Sequence, residues 1–423
     1  MFVLLPVTEI RAGLLSCNIY TAVISSLNFQ EMIAELYIVR RNQRRKIQLK
    51  RSLIMAFMLR LRLYLRDRIF LRSGALLSMV KESPWYVMYR EGQDSDFISA
   101  ISLSRASFDY LVSRFKVFYK FKSGPNKKGR SPRVKDHHCV LSMLLHSYCS
   151  PADRKTWSEM FGVSPSTLSR TLLKAEVALL KALNATKEAD VVWPSTDDQI
   201  RMALLVERKV RLINPLHLNT ILTDTLKKLQ EPLVKGRWGF IDGKNYHVQE
   251  PGEAFLQNTM YNGWLHCVFV TGTTCFSVDG VIIWAKLNFF GSWNDSEISR
   301  SFREKLSCPI KNVDGHGVLS DSAFPVGREM FGRIMTPLKS GDIERAHRGA
   351  RPSLIRLSSA ITSMRQSAEW GMGAVSKVYR ILLKRLSYDK ERRGRLLTVT
   401  HKLYNFRVRT TGISQIKNYF HDE

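Results

Sequence analysis

No two cysteines in this sequence stand at CxxC spacing. Cys17, Cys139, Cys149, Cys267, Cys275 and Cys308 are scattered along 423 residues, which argues against a zinc ribbon, a dithiol redox site and a disulfide framework. Cys139, His146 and Cys149 share one helical face, but a single helix does not supply the four ligands of a tetrahedral site, and burial as small apolar residues is the expectation. A long apolar run is also missing. Residues 12–30 carry no charge but are broken throughout by Ser, Asn, Thr and Cys, and the start shows neither a basic leader nor a small-residue cleavage site, so neither a membrane span nor a signal peptide is expected. Acids are scarce: 37 Asp and Glu face 65 Lys and Arg, for a formal charge of +28 and a pI near 10.0. Such an excess implies a polyanionic partner, nucleic acid ahead of an anionic membrane surface.

The basic residues are unevenly spread. Residues 40–72 hold twelve Arg or Lys against the single acid Asp67. The run at 40–51 reads as a nuclear-import or phosphate-binding segment; beyond it, basic and apolar residues alternate more than they follow a helical period, and a solvated helix face is the plainer reading. Residues 83–119 read as small helices, and GPNKKGRSPRVK at 124–135 as a basic linker punctuated by Pro and Gly. Residues 136–183 read as a helix-turn-helix. One helix covers 136–148 and a second 154–161; the turn is at 162–164, with Ser164 as N-cap and Pro165 at the first helical position. Leu168, Leu172, Ala175, Leu179 and Leu183 then fall on one face of the third helix. Ser166, Thr167, Ser169, Arg170 and Lys174 are left outward near its N-terminal half, where a recognition helix meets the major groove; a purely structural helical hairpin is the alternative.

The acids that invite chemistry lie further on. Apolar β-prone runs deliver Asp242 (in RWGFIDGKNYHV) and Asp321 (in GVLSDSAFP), while Glu369 lies in MRQSAEWGMGAV, a helical stretch apart from Gly371 and Gly373. An acid at the end of a buried strand stands at the sheet's edge, where ligands bind. Three clustered carboxylates repel unless a hard cation neutralises them, and oxygen-only ligation suits Mg²⁺ or Mn²⁺. Other readings stay open at this level. Asp242-Gly243 is a turn signal, Asp321 suits an N-cap, and Glu369 alone is an ordinary helix-surface residue. Asp279-Gly280, flanked by apolar runs on both sides, reads as a hairpin turn. Asp295, after Gly-Ser-Trp-Asn, reads as an accessory acid or, more simply, a cap.

Several motifs resolve these alternatives by resemblance. FIDGK, the Tyr-Asn-Gly-Trp at 261–264, VDGVIIWAKLNFFGSWND, SDSAFP, QSAEWGMGAV and YNFRVRTTGISQI follow one another in register from about residue 237 to 420. They resemble the DDE endonuclease domain of PIF/Harbinger-type transposases. The resemblance implies that Asp242, Asp321 and Glu369 are a catalytic and metal-binding triad for two divalent ions, Mg²⁺ or Mn²⁺. Ser320 and Trp370 depart from the family's commonest residues without touching a carboxylate. It further implies cleavage and joining of DNA, double-stranded DNA (transposon ends and target) as the partner, a homo-oligomer on DNA, a nuclear location without membrane association, and a Myb/SANT-like accessory protein. A domesticated or inactive relative that binds DNA without cutting is the alternative. Arg328, Arg345, Arg348 and Arg365, between the second and third acids, are expected to neutralise phosphates, and Arg407, Arg409 and Lys417 to face DNA or a neighbouring subunit.

The expected fold is mixed α/β: an RNase H-like catalytic domain, its mixed β-sheet flanked by helices, preceded by an all-α helix-turn-helix region. The expected layout is a basic N-terminal extension (1–82), a helical region (83–195) with the helix-turn-helix at 136–183, a connector (196–235), the nuclease domain (236–385) and a basic tail (386–423).

Overall fold

The computed structural model describes residues 29–69, 78–121, 132–213, 234–263, 265–324 and 327–421. Most of the basic linker at 124–135, the connector beyond residue 213, the apolar N-terminal patch up to residue 28, Trp264 and Pro325 lie outside the described residues. The chain divides into two units, Met1–Arg72 and Ser73–Glu423.

In the first unit a single helix, α1 (Phe29–Ile69), covers 41 residues. The alternation of basic and apolar residues does not become a strand, because the stretch contains neither Gly nor Pro and is rich in Leu, Met, Arg, Lys and Gln, which are strong helix formers. Its apolar residues are not gathered on a buried face: Ile38, Leu49, Leu53 and Phe57 are all exposed.

The second unit opens with helices α2 (Pro84–Glu91), α3 (Asp94–Ile101), α4 (Arg105–Phe118), α5 (His137–Cys149), α6 (Arg154–Phe161) and α7 (Pro165–Asn184). Caps set the α6–α7 corner, that of Ser164 and Pro165 being the one expected from sequence. Asp153 accepts from the Thr156 N–H, Gly162 ends α6 in the left-handed region at φ 62°, and Ser164 accepts from the Thr167 N–H ahead of Pro165. Helix α5 is buried along nearly its whole length. Cys139 and Cys149 belong to this core: burial raises the Cys139 thiol and pushes that of Cys149 up to about 12.

After α8 (Thr196–Ile213) come β1 (Arg237–His247), α9 (Ala254–Met260), β2 (Tyr261–Asn262), β3 (Cys267–Ser277) and β4 (Ile282–Phe290). Next are α10 (Asp295–Ile298), α11 (Arg300–Ser307), β5 (Gly317–Leu319), β6 (Ile334–Met335), α12 (Ser340–Arg345), α13 (Arg351–Val378), α14 (Lys390–Thr411) and α15 (Gln415–His421). The main strand order is β4-β3-β1-β5-β6, with β2 on the first residues of β3. β1, β3 and β4 are antiparallel, whereas β5 joins β1 and β6 in parallel. The fold is thus mixed α/β with a mixed sheet, as expected. The β3–β4 hairpin turns at Asp279-Gly280, where Gly280 takes φ 77°.

Three expectations need correction. β1 does not end at Ile241. It continues to His247 as the partner of β3, because the polar residues after Asp242 still have a neighbouring strand for their backbone groups; only the β5 side stops. Gly371 and Gly373 do not interrupt α13. A Cβ on Gly371 would stand 2.7 Å from the Phe276 ring, so glycine there lets the helix lie directly on β3.

The third correction concerns the C-terminal motif. Asn405 is fully buried in α14, accepts the Ile282 N–H at 2.7 Å, and donates to the Ile282 carbonyl at 2.7 Å and the Asp190 carbonyl at 3.0 Å. Arg407 donates to the Ser102 and Ile413 carbonyls. Arg409 donates to those of Glu188 and Asp190. These residues fasten α14 to β4 and to the N-terminal helices by satisfying backbone carbonyls; Arg407 is buried and so does not face DNA, whereas Arg409 is exposed. Lys417 is exposed as well and has no such side-chain tie among the described residues.

Candidate active site

The site begins with strand register. Phe240 and Leu319 are partners on the parallel strands β1 and β5. Two residues further on, at the same offset, come Asp242 and Asp321, so the two carboxylates leave adjacent strands side by side. β5 stops at Leu319 while β1 runs on, which opens the sheet beside Asp242; burial along β1 changes at that residue from complete to partial. Asp242 is cross-strand from Thr274 and shares with Phe240 the face covered by α13. That helix delivers Glu369 and Arg365 from above, held close by the Gly371 contact with Phe276.

The electrostatics are consistent with this placement. The Asp242 carboxyl is raised to about 6, first by burial, then by the negative charges of Asp321 and Glu369. The Gly243 N–H, which donates to its Oδ1 at 2.8 Å, and Arg365 act in the opposite direction. Asp321 does not cap a helix; its Oδ1 accepts the Ala323 N–H at 3.0 Å in a local turn. Glu369 is exposed and pairs with Arg365 one helical turn earlier, Nη2 to Oε1 3.0 Å. Arg365 thus pairs within the site through Nη2, while its Nε has no hydrogen-bond partner among the described residues.

These donors are all oxygen, and the charges of Asp321 and Glu369 help to raise the Asp242 carboxyl, which fits a hard divalent cation. Among the described residues, however, no three acidic, His or Cys side chains stand together as a ready ligand set. Asp242 and Asp321 are juxtaposed; Glu369 is near them but turned to Arg365.

Sequence reading gave Asp295 too little weight. It stands at the first position of α10, but the cap is Asn294, whose side chain accepts the Glu297 N–H. The Asp295 carboxylate instead lies over Gly243: a Cβ there would be 2.7 Å from its Oδ1. Burial, then the Asp321 charge, raises its pKa.

Of the expected DNA-facing residues, Arg328, Arg345 and Arg348 are exposed and make no ion pair among the described residues. Arg333 and Arg351 hold backbone carbonyls of Leu306, Glu344 and Ala346. On α7, Ser166, Arg170 and Lys174 are exposed, while Ser169 is half-buried. Thr167, also half-buried, is drawn into the cap, its Oγ1 accepting from the Ser164 hydroxyl at 3.0 Å.

Residues 241–405 match the family model described as DDE superfamily endonuclease. The matched segment contains Asp242, Asp295, Asp321 and Glu369 and excludes the helices before β1. No curated protein and no solved structure matches the chain.

Proposed function

We propose that the chain is a DDE transposase of the PIF/Harbinger type, which binds transposon-end DNA and cuts and joins phosphodiester bonds in the nucleus. The observation that carries this reading is the side-by-side placement of Asp242 and Asp321 at the end of β5, within the segment that matches the DDE superfamily endonuclease model. The strand order, with three antiparallel strands followed by two parallel ones, supports an RNase H-like core.

Asp242, Asp321 and Glu369 would hold two divalent ions, Mg²⁺ or Mn²⁺. When bound, these supply an activated water or DNA 3′-hydroxyl and stabilise the leaving oxygen of an in-line displacement. The chain's own work is positional and electrostatic. The sheet sets the two aspartates, α13 carries Glu369 over them, and Arg365 holds that carboxylate until the site is loaded. Arg328, Arg345 and Arg348 supply phosphate contacts beside it. The direct test is nicking of supercoiled plasmid by the full chain, present in Mn²⁺ and absent in EDTA. Cleavage that persists in EDTA would sink the metal mechanism. The Arg365–Glu369 pair favours one second reading, a DNA-binding derivative that no longer cuts; retained DNA binding with no nicking at any Mn²⁺ concentration selects it.

End recognition is assigned to a helix-turn-helix of α5, α6 and α7, with a double-stranded DNA partner and a homo-oligomer assembled on it. A Myb/SANT-like accessory protein is a further partner of this reading. Arg170→Ala and Lys174→Ala should each weaken DNA binding and lower its salt slope by about one unit. Unchanged slopes in a salt titration would reduce the three helices to a structural role.

The basic run at 40–51 supports nuclear entry. Fused to a fluorescent reporter, residues 1–73 should accumulate in nuclei, and replacing Arg40, Arg41, Arg44, Arg45 and Lys46 by Ala should reduce the accumulation. A membrane-bound signal would refute the assignment.

A further inference from the structure

We infer that Asp295 is a fourth carboxylate of the active site, which joins Asp321 in holding a divalent cation on the sheet face opposite Glu369. The inference rests on the proposed nuclease reading.

Three observations carry it. Gly243 alternates with Asp242 along β1 and so faces away from α13; its missing side chain leaves a space that the Asp295 carboxylate enters. In that space Asp295 meets no hydrogen-bond donor and no cation among the described residues, although it is half-buried. The cap role it might have had belongs to Asn294, so local structure does not explain an acid there.

The second observation is Thr273, cross-strand from Gly243 and therefore on the same face. Thr273 is completely buried, and its Oγ1 has no hydrogen-bond partner. A buried hydroxyl without a partner costs free energy unless something polar arrives. Here it flanks the niche that holds Asp295, so the niche carries both a carboxylate and a hydroxyl lacking counterparts.

The third is the position of Asp321. Asp321 follows β5 at the register of Asp242, next in sequence to the Gly243 over which Asp295 lies, and its charge acts on both acids. Glu369 acts on Asp242 but not on Asp295. Asp321 is therefore near both acids, Asp242 on the face of β1 under α13 and Asp295 over Gly243 on the other. Hard cations take oxygen ligands of this kind, and a threonine hydroxyl or a water it orients is a compatible neighbour.

The test is Mn²⁺ binding by the full chain without DNA, read from loss of the free-ion electron paramagnetic resonance signal and from the Mn²⁺-induced rise in melting temperature. Asp295→Asn keeps the volume and removes the charge. It should melt no lower than wild type in EDTA, bind Mn²⁺ at least about ten-fold more weakly or with one ion fewer, and show a reduced Mn²⁺-induced rise. Asp295→Glu should restore part of the binding. Wild-type stoichiometry and affinity in Asp295→Asn, with binding lost in Asp321→Asn, would overturn the inference and leave the nuclease reading standing. If Asp321→Asn also binds like wild type, the nuclease reading itself fails.

Discussion

Asp242→Asn and Asp321→Asn should each lower Mn²⁺-dependent nicking by at least about a thousand-fold, the scale expected when a charge that holds a catalytic ion is removed. DNA binding in EDTA should stay within about two-fold of wild type, because the contacts assigned to phosphates lie on other residues. Asparagine keeps the shape of each side chain. Asp242 is held desolvated beside two like charges, so the neutral variant should melt no lower than wild type without metal, which separates lost chemistry from lost structure. Nicking and melting measured on the same preparation decide the matter. Asp242→Asn that cuts at the wild-type rate in Mn²⁺ ends the assignment. Glu369→Gln is a finer probe: a loss as deep as that of the aspartates means that Glu369 leaves Arg365 in the working site.

The second large effect concerns stability. Asn405→Ala should cost about 2–4 kcal/mol, since it removes three hydrogen bonds and leaves the buried Ile282 N–H and C=O without partners. Asn405→Asp should recover little, because a carboxylate accepts the Ile282 N–H but offers no donor to the carbonyls of Ile282 and Asp190. The midpoint of urea unfolding, followed for the full chain at constant slope, is the measurement. A change below about 0.5 kcal/mol in Asn405→Ala would remove this residue from any structural role.

The parts of the fold that the sequence made legible are those decided locally. Gly162 and Ser164-Pro165 specify the α6–α7 corner through caps, and Asp279-Gly280 specifies the hairpin through a backbone angle that glycine takes freely. Asp242 and Asp321 were legible as acids following apolar strands, but their juxtaposition depends on which strands pair, and no single stretch carries that information. The same holds for what was misread. β1 passes Asp242 because β3 is beside it, α13 continues through Gly371 because a phenylalanine ring needs the space, and Arg407 is buried because carbonyls from distant residues meet it. The Arg365–Glu369 pair was present as an i, i+4 spacing, yet without a partner sheet that spacing says nothing of a catalytic neighbourhood. Asp295, read as an accessory acid or more simply as a cap, shows the converse: a plausible local role stood in front of a distant contact with Gly243.

The clamp made by α14 has a consequence for the order in which the chain matures on the ribosome. Ile282 is synthesised more than a hundred residues before the Asn405 amide that completes its hydrogen bonding. Until that residue leaves the exit tunnel, the outer strand of the hairpin carries unmatched polar groups, and Ser102 and Asp190 lack the side chains that bind their carbonyls. A nascent chain halted before α14 would contain every acid of the site but not the element that closes the sheet around them. Competence to cut DNA would then arrive late, after nearly all of the polypeptide has been made, and shortened copies would be expected to aggregate or be degraded instead of acting as partial nucleases.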